Sequence, residues 1–278
     1  MGMKFVYPEG KKKALTFSYD DGQIYDERVV DIFNRHGLKG TFHLNSDNLY
    51  LERADYISAA RVKELYEGQE VACHGRQHRC PSILGTGQKV GEIIRDRIQL
   101  EQLTGSRVQG YSYAFGIFSA EDKEALKYQG IHYARTVRNS NNFFVPGDFM
   151  EWNPTCHHND SLGMAEKFLN APGYVELPLM YVWGHSFEFE RNRNWELLEE
   201  LADKLSGREE IWYATNEQIY EYLTAIRRLE STADGTKLYN PSAKTVWYEK
   251  DGVLCSLPGG EESTLINNDE QGISSTMI

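Results

Sequence analysis

The chain has 278 residues, which suits one large α/β domain, or a domain plus a small appendage, with ample core. Its formal net charge of −11, from 30 basic and 41 acidic residues, disfavours nucleic acid or an anionic membrane surface as partner. No apolar run reaches the length of a membrane span, no signal-peptide stretch opens the chain, and Cys73, Cys80, Cys156 and Cys255 are too few for a disulfide scaffold, so a reduced cytoplasmic chain is expected.

The run Ala14-Leu-Thr-Phe-Ser-Tyr-Asp20-Asp21-Gly22 reads as a buried strand ending at a polar rim. Tandem acids suit a strand end better than a strand interior, because neighbouring residues on a strand point to opposite faces. They repel each other, and a bound cation is one remedy. The alternative for this stretch by itself is a solvated Asp-Asp-Gly turn. Residues 25–36 then carry Val29, Val30, Ile32 and Phe33 at helical spacing, with Gly37 as a stop. A second strand is expected over 39–45, a helix over 57–67 and a third strand over 70–74. A long helix follows over 86–104, with Val90, Ile94 and Ile98 one turn apart. A strand over 107–114 ends at Phe115-Gly116, a helix covers 119–129, and a strand ends at Arg135. Residues 136–163 form a long polar segment without a clear period, a length that often signals function. A short helix near 163–170, a strand over 177–185, a helix over 195–206 and a strand over 210–214 come next. Thr215 and Gln218 form a capping-box pattern that opens a helix over 216–229. This alternation implies parallel β-structure with helical crossovers, either a barrel or a doubly wound sheet.

Beyond about residue 231 the pattern changes. Residues 244–257 read as a hairpin turning at Asp251-Gly252. The expected division is therefore a domain over 1–230 and a β appendage over 231–278 with a polar, frayed tail.

His74-Gly-Arg-Gln-His78 places two imidazoles four residues apart. In an extended strand they would lie roughly 13 Å apart, too far to share an ion. A tight turn at the strand end would bring them together, and two histidines with a carboxylate are the usual composition of an open catalytic zinc site. Surface histidines are the alternative. Cys73 is expected to pack in the core. His185, closing Val182-Trp-Gly-His, is a candidate acid or base, against a hydrogen-bonded core histidine. Glu188 follows one turn later, as a partner for that ring or an exposed acid. His157 and His158 in the long loop read as a substrate-side contact or as surface polarity.

In order, Thr16-Phe-Ser-Tyr-Asp20-Asp21-Gly22, His74-x-x-x-His78, Tyr113-Ala-Phe115-Gly116 and Trp183-Gly-His185 resemble the polysaccharide deacetylase family, the NodB-homology domain of carbohydrate esterase family 4. The resemblance covers about residues 11–225. It implies a distorted (β/α)7 barrel with its site at the C-terminal rim of the strands, here with a small C-terminal β appendage. It further implies that Asp21, His74 and His78 ligate a divalent metal, and two imidazoles with one carboxylate point to zinc. Asp20 becomes the general base, the Phe115 backbone N–H an oxyanion donor and His185 the general acid. The implied activity is removal of N-acetyl groups from an N-acetylated sugar or oligosaccharide. The alternatives are hydrolysis of a non-sugar amide or ester, or an inactive carbohydrate-binding protein. A carbohydrate is the expected partner, with neither nucleic acid nor membrane.

The third motif departs most from the family pattern. Ser112 stands in the place of an Arg that lies beside the base carboxylate, Ala114 in that of Pro, and Phe115 in that of Tyr; the fourth motif has no clear counterpart. A carboxylate at such a site needs a compensating donor. Arg135, ending the strand after 131, is the expected substitute on Asp20. Arg76 is the nearer competitor in sequence and is expected to face solvent. The remaining alternative is that neither reaches Asp20.

Overall fold

The computed structural model describes residues 3–51 and 53–265. These fall into two compact units, one of residues 11–220 and one joining the start of the chain to residues from Glu221 onward.

In the larger unit, seven parallel strands form a curled sheet. Their spatial order is Tyr133–Arg135, Gly110–Ser112, Glu70–Cys73, Gly40–Leu44, Lys13–Asp21, Leu179–His185 and Cys156–His157. An eighth, Ile211–Tyr213, pairs with residues 13–15 of the Lys13–Asp21 strand, below the point at which Gly40–Leu44 takes over at Phe17. Ala14 to Asp20 are all buried, as expected of a strand with neighbours on both sides. Helices Asp26–His36, Thr86–Thr104, Ala120–Tyr128, Ser161–Leu169 and Glu196–Leu205 supply crossovers and cover. The distorted (β/α)7 architecture expected from the sequence is the one observed. The Thr215 capping box also forms: Thr215 N–H donates to Gln218 Oε1 at 3.0 Å, and Gln218 N–H to Thr215 Oγ1 at 3.4 Å.

The long segment 136–163 is where the two edges of the sheet meet. Trp152 bridges to Arg135 on one edge, and Cys156 pairs with Val182 on the other. Trp152 is buried to 1% exposure against Tyr133 and Tyr181. The segment lacks a period because it makes single bridges and short 3₁₀ turns instead of a regular element.

Two helical expectations change. Residues 57–67 give only a 3₁₀ turn, Ala59–Arg61, and one α-turn, Val62–Leu65. In Thr86–Thr104 the buried face is Ile93, Asp96 and Leu100, while Val90 and Ile98 are exposed. Aliphatic spacing alone pointed to the wrong face because an acid occupies a core position.

In the smaller unit, Met3–Val6 pairs antiparallel with Val246–Lys250, which pairs with Val253–Leu257. A second small sheet orders Glu230–Ser231, Lys237–Tyr239 and Glu262–Thr264. The hairpin turns at Asp251 (φ 51°) and Gly252 (φ 80°), the paired left-handed conformation that suits a two-residue turn. The expectation put the first ten residues with the barrel. Their strand instead finds its partner some 240 positions away, beyond the reach of any local pattern. The polar tail from 266 lies outside the described residues.

Candidate active site

Strand register builds the site. Across three neighbouring strands Asp20 is level with His43 on one side and His185 on the other, and Asp21 with Leu44. Leu44 is level with Cys73, so His74 follows one step beyond it, and Ser112 is level with Arg135. The strands are parallel, so these side chains gather at their C-terminal ends. Cys73 is fully buried in the core, as expected.

Asp21 and Gly22 are both left-handed, at φ 82° and 68°. This bend separates adjacent carboxylates: Asp20 is 2% exposed, while Asp21 opens to the rim. The histidine turn does the same for its pair. Gly75 (φ 81°) and His78 (φ 53°) curl the chain, and the rings of His74 and His78 come to 4.7 Å between centroids. His74 Nε2 lies 3.6 Å and His78 Nε2 3.8 Å from the same Asp21 Oδ1. His74 Nδ1 lies 2.9 Å from the Ser112 carbonyl, which can only accept, so the proton sits on Nδ1 and the Nε2 lone pair faces the cluster.

The ligand atoms of Asp21, His74 and His78 all lie within 4.8 Å of one another. Around a tetrahedral ion with bonds of about 2.1 Å, ligand atoms stand about 3.4 Å apart, so this donor set fits a divalent metal with little movement. Burial, then the neighbouring His74, lowers the pKa of His78, which favours the neutral ring that a metal needs.

Beside this cluster, Asp20 is enclosed by four side chains. The Arg135 guanidinium donates to Oδ2, and Ser112 Oγ donates to Oδ1 at 3.3 Å. His43 Nδ1 is 3.4 Å from Oδ1, and His74 Nε2 3.7 Å from Oδ2. Burial opposes ionisation of Asp20, but the Arg135 guanidinium above all outweighs it and holds the carboxyl well below its ordinary range. Arg135 is itself fully buried, donates to the Thr136 carbonyl at 3.0 Å and stacks 4.6 Å above the Trp183 ring. Arg76 turns away and pairs with Asp47 at 2.6 Å. Sequence reasoning missed His43: its strand reads as apolar, and burial pushes its pKa down to about 4, so the ring is neutral.

Phe115 sits at the apex of the Ala114–Gly116 turn with φ 59°, its side chain 58% exposed and 4.6 Å from the His78 ring. His185 ends its strand with Nδ1 3.5 Å from Glu188 Oε2, and the same oxygen accepts from the His185 backbone N–H at 3.2 Å. Burial lowers the His185 pKa, but Glu188, Asp20 and Asp21 together raise it above the ordinary value. Glu188 is not an exposed acid. Despite the cost of burial, the hydrogen bonds from His157 and His185 push its pKa far down. His158 is not a substrate contact: it is 1% exposed, stacked on Phe189 and Tyr19. A Cβ at position 184 would collide with its ring, which is why Gly184 precedes His185.

Behind the histidine turn, the buried carboxylate of Asp96 accepts the backbone N–H groups of Ser46 at 2.9 Å and His74 at 3.1 Å. Burial raises its pKa to about 7, against those hydrogen bonds. A groove of about 850 Å³ lined by Lys63, Glu67, Arg107 and Gln218 opens at the other ends of the strands and gathers no histidine.

A curled parallel sheet with carboxylates, imidazoles and an arginine at its C-terminal rim defines an α/β barrel enzyme type of site. The family model for polysaccharide deacetylases matches residues 7–134. Among solved structures, a Mycobacterium smegmatis protein assigned to the polysaccharide deacetylases aligns over 81% of this chain and 94% of its own, at 17% identity and a TM-score of 0.64. The family 4 carbohydrate esterase domain of a xylanase from the Trinervitermes trinervoides hindgut metagenome covers 77% and 92%, at 16% identity and 0.54. A mutant pseudoenzyme of that family with restored activity covers 78% and 70%, at 16% and 0.51. A search of curated proteins gave no match. The resemblance read from the sequence, to a divergent branch of the polysaccharide deacetylases, is therefore matched by the family model over residues 7–134 and, in fold, by these solved structures at low identity. Among the described residues no helix is long and apolar enough to cross a membrane.

Proposed function

We propose that this chain is a metal-dependent hydrolase that removes N-acetyl groups from an N-acetylated sugar or oligosaccharide. The observation that carries the reading is the pairing of two features on one rim. The ligand atoms of Asp21, His74 and His78 lie within 4.8 Å of one another, and beside them Asp20 is a buried carboxylate kept ionised by Arg135. In this reading Asp21, His74 and His78 hold a divalent ion, zinc by the chemistry of the donor set. When bound, such an ion acidifies a water and polarises a carbonyl.

The chain's own groups supply the rest. Asp20, unprotonated across the working range, accepts the proton of the attacking water. Its low basicity would suffice for a water acidified by an ion held on Asp21, His74 and His78. The Phe115 N–H, on a turn whose ring rests on His78, donates to the oxyanion. His185, whose raised pKa keeps it protonated longer than an ordinary histidine, delivers a proton to the leaving nitrogen. The departure of the third motif from the family pattern makes the substrate the point to test. Purified protein is stripped with a chelator, reloaded with zinc and screened for acetate release from chitin oligomers, peptidoglycan fragments, acetylated xylan and simple amides. The expected result is zinc-dependent acetate release from an N-acetylated sugar. Release only from simple amides or esters would move the activity off sugars, and a protein that binds sugars without turnover would overturn the reading.

A further inference from the structure

His157 takes no part in the chemistry above, yet it lies on the same rim. Its Nδ1 accepts the Asn159 backbone N–H at 3.3 Å. A neutral imidazole that accepts at Nδ1 carries its proton on Nε2. That Nε2 is 3.0 Å from Glu188 Oε2, the oxygen that also faces His185 Nδ1 at 3.5 Å. The ligand atoms of His157, His185 and Glu188 lie within 4.8 Å of one another, as in a metal cage. A metal on His157 Nε2 would need a lone pair there and a proton on Nδ1, the reverse of the tautomer that Asn159 imposes. The cluster is therefore not a metal cage: His157 Nε2–H donates to Glu188 Oε2, and His185 Nδ1 stands 3.5 Å beyond that oxygen.

We infer that His157 is a positioning residue: its Nε2–H pins the Glu188 carboxylate against His185, so that His185 Nδ1–H is engaged and Nε2 carries the transferable proton. The inference rests on the proposed role of His185 as leaving-group acid. Glu188 has somewhere else to go, since Arg191, whose side chain is 59% exposed, holds its other oxygen at 3.2 Å. Without the His157 donor, that oxygen keeps only the His185 backbone N–H at 3.2 Å as a hydrogen-bond donor, and the carboxylate can swing toward Arg191 and solvent. The charged and titratable groups facing His185 are Asp20 and Asp21 from the first strand of the barrel, His78 from the histidine turn, His158, and Glu188 from the following helix. Of these, His157 hydrogen-bonds Glu188 and lies against the His158 ring, 4.2 Å between centroids.

The test uses two substitutions in the full-length, metal-loaded protein. His157→Asn keeps an acceptor for the Asn159 N–H but is too short to reach Glu188. His157→Gln places an N–H near the original Nε2. Both are assayed on an acetamide and on an activated aryl acetate across pH. His157→Asn is expected to lower kcat/KM on the amide about tenfold, leave the aryl ester unchanged, and move the alkaline limb to lower pH, with His157→Gln restoring both. In the metal-free protein, nitrogen-15 NMR should show the His185 Nδ1–H lost in the Asn variant and regained in Gln. An Asn profile that overlays the parent, or an alkaline limb that moves upward, overturns the inference. His185→Ala separates the two layers. If it harms amide and ester equally, the acid assignment itself fails; if it harms the amide alone while His157→Asn is silent, only the role of His157 fails.

Discussion

Arg135→Met removes the one permanent charge on Asp20 and keeps most of the side-chain volume. What remains around Asp20 is a serine hydroxyl and the imidazoles of His43 and His74, with no permanent charge among them. Two other buried carboxylates show what such an environment does. Asp26, with Tyr66 and Ser186 as donors, and Asp96, with backbone and Ser46 contacts, are both raised from 3.8 to about 7 by burial, which outweighs those hydrogen bonds. In the metal-free variant Asp20 should follow them. In the parent its folded pKa lies below the unfolded value, so its contribution is complete above about pH 4 and is lost only as pH falls through the folded value. In the variant the folded pKa lies above the unfolded one, so a penalty is absent below about pH 4 and grows until about pH 7. Three pH units at about 1.4 kcal/mol each make the gap between parent and variant widen by about 4 kcal/mol from pH 4 to pH 8. That agrees with the roughly 3–5 kcal/mol cost of leaving a buried charge unpaired. Urea unfolding of chelated protein at several pH values reads this gap, with exposed Arg193→Met as control. In the metal-loaded enzyme the acidic limb of kcat/KM should also move up. A gap that stays flat with pH, or a variant that overlays the control, refutes the argument.

Three further outcomes follow from the same geometry. Asp20→Asn should keep its metal but lose about 10²–10⁴ in turnover, because an amide cannot take the proton; metal content and acetate release measured side by side check it. His78→Ala should fail to retain zinc after chelation and reloading, and elemental analysis showing the parent's stoichiometry would refute the ligand set. Asp96→Asn puts an NH2 against one of two backbone N–H groups, so stability should fall by about 1–3 kcal/mol and zinc affinity by about 10–100-fold, read by urea unfolding and by competition with a chelator.

Much of the site was legible because strand ends carry strong local signals. Tandem acids before glycine, a histidine pair after a short apolar run, and a histidine closing Val-Trp-Gly all lie where a parallel strand stops. Arg135 was found by the same logic: a carboxylate needing a cation, and one arginine at a strand end. His43 was hidden because a histidine inside an apolar strand looks like filling; only the register puts it beside Asp20. Asp96 was hidden because its helix was judged by its aliphatic residues, and the acid sits on the buried face instead. Glu188 was underrated because a helix-borne acid is usually solvated, whereas here the chain folds three histidines around it. Barrel closure at Trp152 and the pairing of Met3–Val6 with Val246–Lys250 depend on partners far away in sequence, which leave no periodicity to read.

The backbone itself ties these features together. Eight described residues other than glycine have positive φ, and Asp21, His78 and Phe115 are three of them. An aspartate tolerates this conformation; a histidine tolerates it less and a phenylalanine least, at about 1–3 kcal/mol for a strained residue. Each position does something that extended backbone would not. At Asp21 it turns the second of two adjacent acids out of the strand's alternation, toward the two imidazoles. At His78 it folds the turn back so that the second imidazole meets the first. At Phe115 it lays the ring against His78. The surrounding hydrogen bonds hold these shapes. Asn45 Nδ2 donates to the carbonyls of His74 and Gly75 at 3.0 and 2.7 Å, Asp96 takes the His74 N–H, and Ile57 N–H donates to the Gly22 carbonyl at 3.0 Å. Buried polar groups that would otherwise be a liability in the core are thus the ones that hold the strained turns, and with them the donor atoms, in place.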